Sequence, residues 1–383
     1  MHSVHSYLDT VNLKRTPFYE HHIALGGKMV EFAGYEMPVQ YPKGIIFEHK
    51  AVREGPGGVF DVSHMGEFEV RGPDALRFLQ TITSNDVAAL VPGQAQYSCL
   101  PNERAGIVDD LIVYFVAPEH YIIVVNASTM EKDWAWFSKW AKGFDVKLRN
   151  FSDETALLAV QGKKAKEILQ TLTSVDLDKI EYYHFANGEL AGVPMMISRT
   201  GYTGEPGFEI MFPHAGNADN VWNAVFDAGK KFGGLEPIGL GARDTLRLEM
   251  GYCLYGNDIT DDTNPLEAGL AWITKLNKTP ECQAFPTLRE IKEKGLTRKL
   301  VGLVTEEKGA IMRHGHKIVD NEGRNIGEIT SGNLSPMLGK AIALGYVPVA
   351  QSKEGSEVLV EVRPGKRAKA VVTKPPFVKP GVR

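Results

Sequence analysis

Cysteine is scarce in this 383-residue chain: Cys99, Cys253 and Cys282 are the three present, far apart in sequence. They form neither a disulfide framework nor metal-ligand spacing, which points to packing roles in a reducing cytosol. Long apolar runs are missing as well. None approaches the roughly 18 residues of a membrane-spanning helix. Charge of one sign is not in excess either. Lys and Arg number 43 against 47 Asp and Glu, a formal charge of −4, and the one basic cluster, Lys366-Arg367-Ala368-Lys369, is short. That excludes an electrostatic nucleic-acid binder. The residues Met1 to Tyr7 lack the layout of a secretory signal. The 11 histidines form no ligand motif, and His21-His22 and His314-Gly315-His316 read as surface turns. No P-loop, dinucleotide fingerprint or Ser-His-Asp arrangement stands out. A metal or redox cofactor is therefore not expected. What remains is 43% apolar and 23% charged, the balance of a soluble globular protein of two or three domains.

The most informative stretch is Gly106-Ile107-Val108-Asp109-Asp110-Leu111-Ile112-Val113-Tyr114-Phe115-Val116. It places two adjacent carboxylates in a run that otherwise reads as a buried strand. Aspartate is depleted in strands, and neighbouring strand residues point to opposite faces. One acid is satisfied by a cap or a turn. The other needs a cavity, a partner charge or a ligand, because an unpaired buried carboxylate is costly. The competing reading is that both acids close the preceding turn, Asn102 to Gly106.

An internal echo runs through the first half. Arg71-Gly72-Pro73-Asp74-Ala75-Leu76-Arg77-Phe78-Leu79-Gln80-Thr81-Ile82-Thr83 aligns with Gln161-Gly162-Lys163-Lys164-Ala165-Lys166-Glu167-Ile168-Leu169-Gln170-Thr171-Leu172-Thr173. Each copy follows a strand-like stretch and opens a short amphipathic helix at its Gly, which predicts two related α+β modules. Further strands are expected over 121–126, 146–149, 195–199 and 208–212, and helices over 128–142, 219–232 and 239–251. Hairpin-linked neighbours favour an antiparallel-rich α+β arrangement over a doubly wound sheet. After about Gly295 the chain turns to short strands broken by Asp320-Asn321-Glu322-Gly323, Ser331-Gly332-Asn333, Glu354-Gly355 and Pro364-Gly365. That spacing predicts a small β-barrel, with 285–294 as a helical linker into it.

Two segments carry polar groups suited to a ligand. Ser198-Arg199-Thr200-Gly201-Tyr202-Thr203-Gly204-Glu205-Pro206-Gly207-Phe208-Glu209-Ile210 holds three glycines between two strands, a sign of tight backbone geometry or close ligand approach. Glu209 follows it, where a carboxylate would pair bidentately with the amino and ring N–H edge of a pterin or guanine. In Gly239-Leu240-Gly241-Ala242-Arg243-Asp244-Thr245-Leu246-Arg247, two arginines sit one helical turn apart and repel unless a carboxylate lies near. Asp244 is a local partner for Arg247. Arg243 lies at the helix start, where the dipole adds to an anion site. Tyr97, Tyr182, Tyr183 and Tyr252 accompany these segments and are suited to stacking on a flat ring. Asp61, Ser63 and His64 lie too close in sequence for a triad and read as a turn entering a strand.

Taken together, these residues resemble the T-protein family, the aminomethyltransferases of the glycine cleavage system. The likeness runs nearly end to end, through Met29 to Pro38, Phe60 to Gly66, Val108-Asp109-Asp110-Leu111, Ser198 to Glu205, Gly241-Ala242-Arg243-Asp244, Leu254 to Asp258, Thr263-Asn264-Pro265 and Thr330-Ser331-Gly332. The resemblance implies an α+β, three-domain ring around a central folate channel. Two interleaved antiparallel-rich domains over residues 1–280 would be followed by a β-barrel over 281–383. It implies a lipoyl-bearing H-protein as partner and tetrahydrofolate as one-carbon acceptor, with no metal, nucleic acid or membrane involved, in the cytoplasm. It makes Asp110 the catalytic acid, expected mainly ionised, with Glu209 on the pterin edge. Arg243, Tyr97, Asn126, Tyr182 and Tyr252 would be further folate contacts, and a residue near Arg383 would approach the same site. Folate-dependent demethylases of the same fold are the alternative. The chain departs from the family pattern at Pro206, where Asp is usual, and at Ala105, where Gly is usual.

Overall fold

A computed structural model describes residues 12–382. The N-terminal heptapeptide and Arg383 lie outside the described residues. Two sheets pack face to face with helices on their outer sides. The first sheet is five-stranded and antiparallel, in the order Ala95–Pro101, Ile107–Ala117, His120–Val125, Gly66–Arg71, Lys147–Asn150. Alternation along Ile107–Ala117 divides its two faces. Leu111 and Val113 bury against the helices Ala75–Ile82 and Met130–Ala141, while Ile112 and Tyr114 face the other sheet. The second sheet has six strands, Phe185–Leu190, Val193–Ser198, Gly207–Pro213, Thr155–Gln161, Gly58–Asp61 and Glu236–Ile238. Only its last pair is parallel among these. Because Gly58–Asp61 belongs to this second sheet and residues 66–150 build the first, the two units interleave in sequence as expected.

The internal echo is structural. In each copy a strand runs into a glycine, Gly72 at φ 133° and Gly162 at φ 132°, a backbone angle that side chains rarely adopt. A helix follows, Ala75–Ile82 in one and Ala165–Gln170 in the other. Its glutamine then accepts the backbone N–H of a short 3₁₀ turn, Gln80 from Val87 at 3.1 Å and Gln170 from Leu177 at 2.9 Å. An aspartate caps each turn, Asp86 in the first and Asp176 in the second. The equivalent polar contacts explain why Gln recurs in register. The copies join edge to edge where Ala95 N–H donates to the Tyr183 carbonyl and Phe185 N–H to that of Gly93, both at 2.8 Å.

The linker helix Phe285–Lys294 leads into a closed six-stranded barrel built from residues 298–373. The expected alternation of turns and short strands is what closes it. One helix, Leu240–Met250, ties the barrel to the rest. Its Arg247 is almost wholly buried and bonds Asp258 at 2.7 Å, Asp244 at 2.7 Å and the Ser331 hydroxyl of the barrel at 2.8 Å. The turn Asn102 to Gly106 is closed by Asn102, whose Oδ1 accepts the N–H groups of Arg104 and Gly106, so neither Asp109 nor Asp110 serves it. Ala105 there has φ 70°, which accounts for glycine being usual at that place. His22 overturns its expectation as a surface turn: it is fully buried, with Nε2 2.9 Å from Asp61 and Nδ1 2.9 Å from the Tyr41 hydroxyl.

Removing one partner of a buried ion pair strands the other. Arg247→Ala, which leaves Asp258 without its cation, is expected to lower stability by about 3–5 kcal/mol, read by denaturant unfolding.

Candidate functional site

Asp109 and Asp110 divide as strand alternation requires. Asp109 has no exposed surface and is satisfied inside the protein, accepting from Thr129 Oγ1 at 2.8 Å and from the Asn126 backbone N–H at 3.2 Å. Asp110 is partly exposed. Its Oδ2 accepts from the Tyr97 hydroxyl at 2.7 Å and its Oδ1 from Asn126 Nδ2 at 2.8 Å. Burial, and next the charge of Asp109, push the Asp110 carboxyl up to about 7, against the pull of Tyr97 and Asn126 toward the ionised form. Asp110 therefore populates both protonation states near neutrality, where the sequence led us to expect a mainly ionised group.

The Gly-rich loop positions the second carboxylate. A Cβ on Gly201 would lie 2.1 Å from Gln161 Oε1, and one on Gly204 2.1 Å from Met250 Sδ, so these glycines serve close packing. The loop is pinned by Gln161, whose Nε2 donates to the Thr200 carbonyl at 3.1 Å and whose Oε1 accepts from Thr203 at 2.9 Å. Thr200 is thereby aimed at Glu209, to which its hydroxyl donates. Glu209 sits on Gly207–Pro213 and is partly exposed, its carboxyl raised by burial. Pro206 leaves the loop closed: its carbonyl accepts from Gly162 N–H at 2.8 Å. The chain end also lies on this loop, with Gly381 and Val382 N–H groups donating to the Gly204 carbonyl.

Arg243 differs from Arg247. Among the described residues it forms no ion pair. Its Nη1 donates to His64 Nε2 at 3.1 Å, and its guanidinium lies 5.8 Å from the Tyr202 ring centre. Burial and the neighbouring guanidinium push the His64 imidazole down to about 3, so it is neutral and accepts without cancelling the charge. Asp61 and Ser63 serve the backbone of the turn, Asp61 accepting from Ser63 N–H at 2.9 Å and the Ser63 hydroxyl from Leu157 N–H at 3.0 Å.

Tyr202 joins the two halves. It stacks on Tyr252 with centroids 5.7 Å apart, its hydroxyl donates to the Cys253 carbonyl, and both Asp110 and Arg243 act on it electrostatically. Tyr182 and Tyr183 pack edge to face beside Tyr252, and Tyr114 reaches from the Asp110 strand to within 3.5 Å of Thr200. The structure thus brings Asp110, Tyr97 and Asn126 together on one side and Glu209, Arg243, Tyr182 and Tyr252 on the other. Sequence reasoning passed over Tyr202, Thr200, Tyr114 and His64. Alternation carries a signal for Tyr114, since residues 110, 112 and 114 share a face. A partly exposed acid, an unpaired guanidinium and a wall of phenols suit a flat, polar-edged ligand.

A model of the GCVT N-terminal domain family matches residues 18–278, and one of the glycine cleavage T-protein C-terminal barrel domain matches residues 298–379. The aminomethyltransferase of Bacteroides thetaiotaomicron is 55% identical over 370 residues, covering 96% of this chain and 100% of that protein. That of Flavobacterium psychrophilum is 52% identical, with the same coverage of 96% and 100%. The chain belongs to the T-protein family of aminomethyltransferases. A solved T-protein structure, glycine cleavage system aminomethyltransferase T from Bartonella henselae, matches with a TM-score of 0.89 at 39% identity, covering 96% of this chain and 99% of that one. Membership in the T-protein family makes the protein a transferase, and the α+β architecture with its C-terminal barrel is that of the family. Among the described residues no group of acids, histidines and cysteines is placed to hold a metal, and no helix is long and apolar enough to cross a membrane.

Tyr97→Phe removes a donor that favours ionised Asp110. The Asp110 midpoint is expected to rise above about 7 by roughly one unit, measured by carbon NMR of the labelled carboxyl.

Proposed function

We propose that this aminomethyltransferase takes the aminomethyl group carried on the lipoyl arm of an H-protein, releases ammonia and passes the carbon to tetrahydrofolate, giving 5,10-methylenetetrahydrofolate. The observation that carries the reading is that two partly exposed carboxyls, Asp110 and Glu209, are linked through Tyr202 and Arg243, whose guanidinium forms no ion pair among the described residues. Glu209 would accept the amino and ring N–H groups of the pterin as a bidentate pair. Arg243 would attract an anionic or carbonyl group of the ligand. Tyr182, Tyr202 and Tyr252 would flank the ring, and Tyr97 and Asn126 would orient Asp110.

The balance of the reaction defines what Asp110 has to do. Two C–N bonds form, to N5 and N10 of the folate, and those nitrogens lose their protons. The carbon–sulfur pair returns to sulfur, which takes one proton, and the departing ammonia takes the other. A carboxylate at Asp110 would stabilise the cationic carbon–nitrogen intermediate and receive a folate proton. A carboxyl lifted to about 7 is a stronger base than an ordinary aspartate and fits that task. Residues 1–280 would carry this chemistry and 281–383 would close the site from the barrel side. A cytosolic location accords with three unpaired, buried cysteines.

Asp110→Asn is expected to reduce methylenetetrahydrofolate formation from aminomethylated H-protein by at least 100-fold, with tetrahydrofolate still bound. Normal turnover in that variant would sink the assignment, and tight folate binding without H-protein-dependent turnover in the wild type would favour a methyl donor instead. Glu209→Gln is expected to weaken tetrahydrofolate binding roughly tenfold or more, read by calorimetric titration.

A further inference from the structure

Behind Asp110 lies a buried acidic cluster that the proposed chemistry does not use. Asp109 and Asp133, on the helix Met130–Ala141, both have no exposed surface. The nearest lysine, Lys132, is bonded to Asp261 at 3.0 Å and to the Tyr255 hydroxyl at 2.6 Å. Burial and the charge of Asp109 push Asp133 well up, so Asp133 is the member that carries a proton. Asp109 is the member that three donors address: Asn126 N–H, Asn126 Nδ2 and Thr129 Oγ1. One amide bridges this acid to the next, for Asn126 Nδ2 lies 2.9 Å from Asp109 Oδ1, 2.8 Å from Asp110 Oδ1 and 3.1 Å from the Asp110 carbonyl.

We propose that Asp109 is a positioning residue that acts through Asp110: its buried charge, held by Asn126 and Thr129, makes the neighbouring carboxyl a stronger base for the proton it receives in turnover. The proposal rests on the assignment of Asp110 as that base. The other groups facing Asp110 do not supply the effect. Tyr97 and Cys99 on the adjacent strand, and Tyr202 and Cys253 from the loops, are phenols and thiols that burial keeps neutral. Tyr255, which faces Asp109 and Asp133, is likewise held neutral by burial.

The sign is fixed. A neighbouring negative charge raises an acid, so its removal lowers the Asp110 midpoint and lets the ionised form persist to lower pH. In Asp109→Asn the amide oxygen in place of Oδ1 would still accept from Asn126 Nδ2, while the NH₂ in place of Oδ2 would face Thr129 Oγ1, which is free to donate to the Asn126 carbonyl 3.1 Å away, and would leave the Asn126 N–H without its acceptor.

The test is the carbon NMR titration of Asp110 in the full-length protein, alongside the pH profile of kcat with aminomethylated H-protein. In Asp109→Asn the Asp110 midpoint and the acidic limb of kcat are expected to fall together by about one pH unit or more. Asp109→Ser carries the same expectation should the amide disturb folding. Asp133→Asn, which keeps a neutral donor beside Asp109, is expected to leave both in place. An unmoved midpoint in a folded Asp109 variant overturns the proposal, as does a midpoint that moves in Asp133→Asn. A midpoint that falls while Asp110→Asn retains turnover would uphold the electrostatic coupling and overturn the role of Asp110 as base.

Discussion

Glu249 has no exposed surface, yet it holds three separate parts of the chain. Its Oε2 accepts from Arg53 at 3.1 Å and faces His49 at 3.0 Å, and its Oε1 accepts from Ser335 at 2.5 Å and from the Met337 N–H at 3.2 Å. Arg53 in turn reaches Glu205 of the Gly-rich loop at 2.9 Å. Two residues earlier on the same helix, Arg247 makes the matching connection to Asp258 and the barrel. A buried charge must be paired in full, and this requirement fixes the mutual placement of sheets, loop and barrel more narrowly than apolar packing does. The proposed site lies around this junction, so its geometry depends on that pairing being complete.

The same electrostatic rule, left incomplete, produces the site. Arg247 and Arg243 are one turn apart on one helix, but of the two only Arg247 forms ion pairs among the described residues. Arg243 meets a neutral imidazole and a phenol ring. Asp109 and Asp110 are adjacent on one strand, and donors address both, but Asp109 has no exposed surface while Asp110 keeps an exposed edge. In each pair one member is tied into the fold and the other, Arg243 or Asp110, is partly exposed beside partly exposed tyrosines. Burial and the charge of Asp109 shift Asp110 toward neutrality, and such a shift is a common mark of sites that move protons.

Much of the architecture was legible in the sequence. Period-two and period-3.6 patterns located the strands His120–Val125 and Gly207–Pro213 and the helices Ala218–Lys230 and Phe285–Lys294 to within one or two residues. The echo of Gly, Gln and Thr revealed two related modules, because the same glycine conformation and the same Gln-to-turn bond are needed in both. The acidic pair was visible because aspartate is out of place in an apolar strand. Reading His22 as a surface turn failed because its partners, Asp61 and Tyr41, come from other segments. The even choice over the Asp pair was decided by Asn102, which closes the preceding turn itself.

By itself the sequence determined the element types, the duplication, the barrel and the family, since these follow from local periodicity, turn chemistry and motifs kept in order along the chain. Only the tertiary structure decided which of two like residues is spent on stability and which is left for chemistry. Arg243 and Arg247, or Asp109 and Asp110, have nearly the same neighbours in sequence. Their difference lies in what approaches from elsewhere: Asp258 and Ser331 at one arginine, His64 at the other, and Thr129 at one aspartate, Tyr97 at the other. Charge state depends on burial and on partners within a few ångströms, and both are set by the packing of distant segments rather than by sequence position.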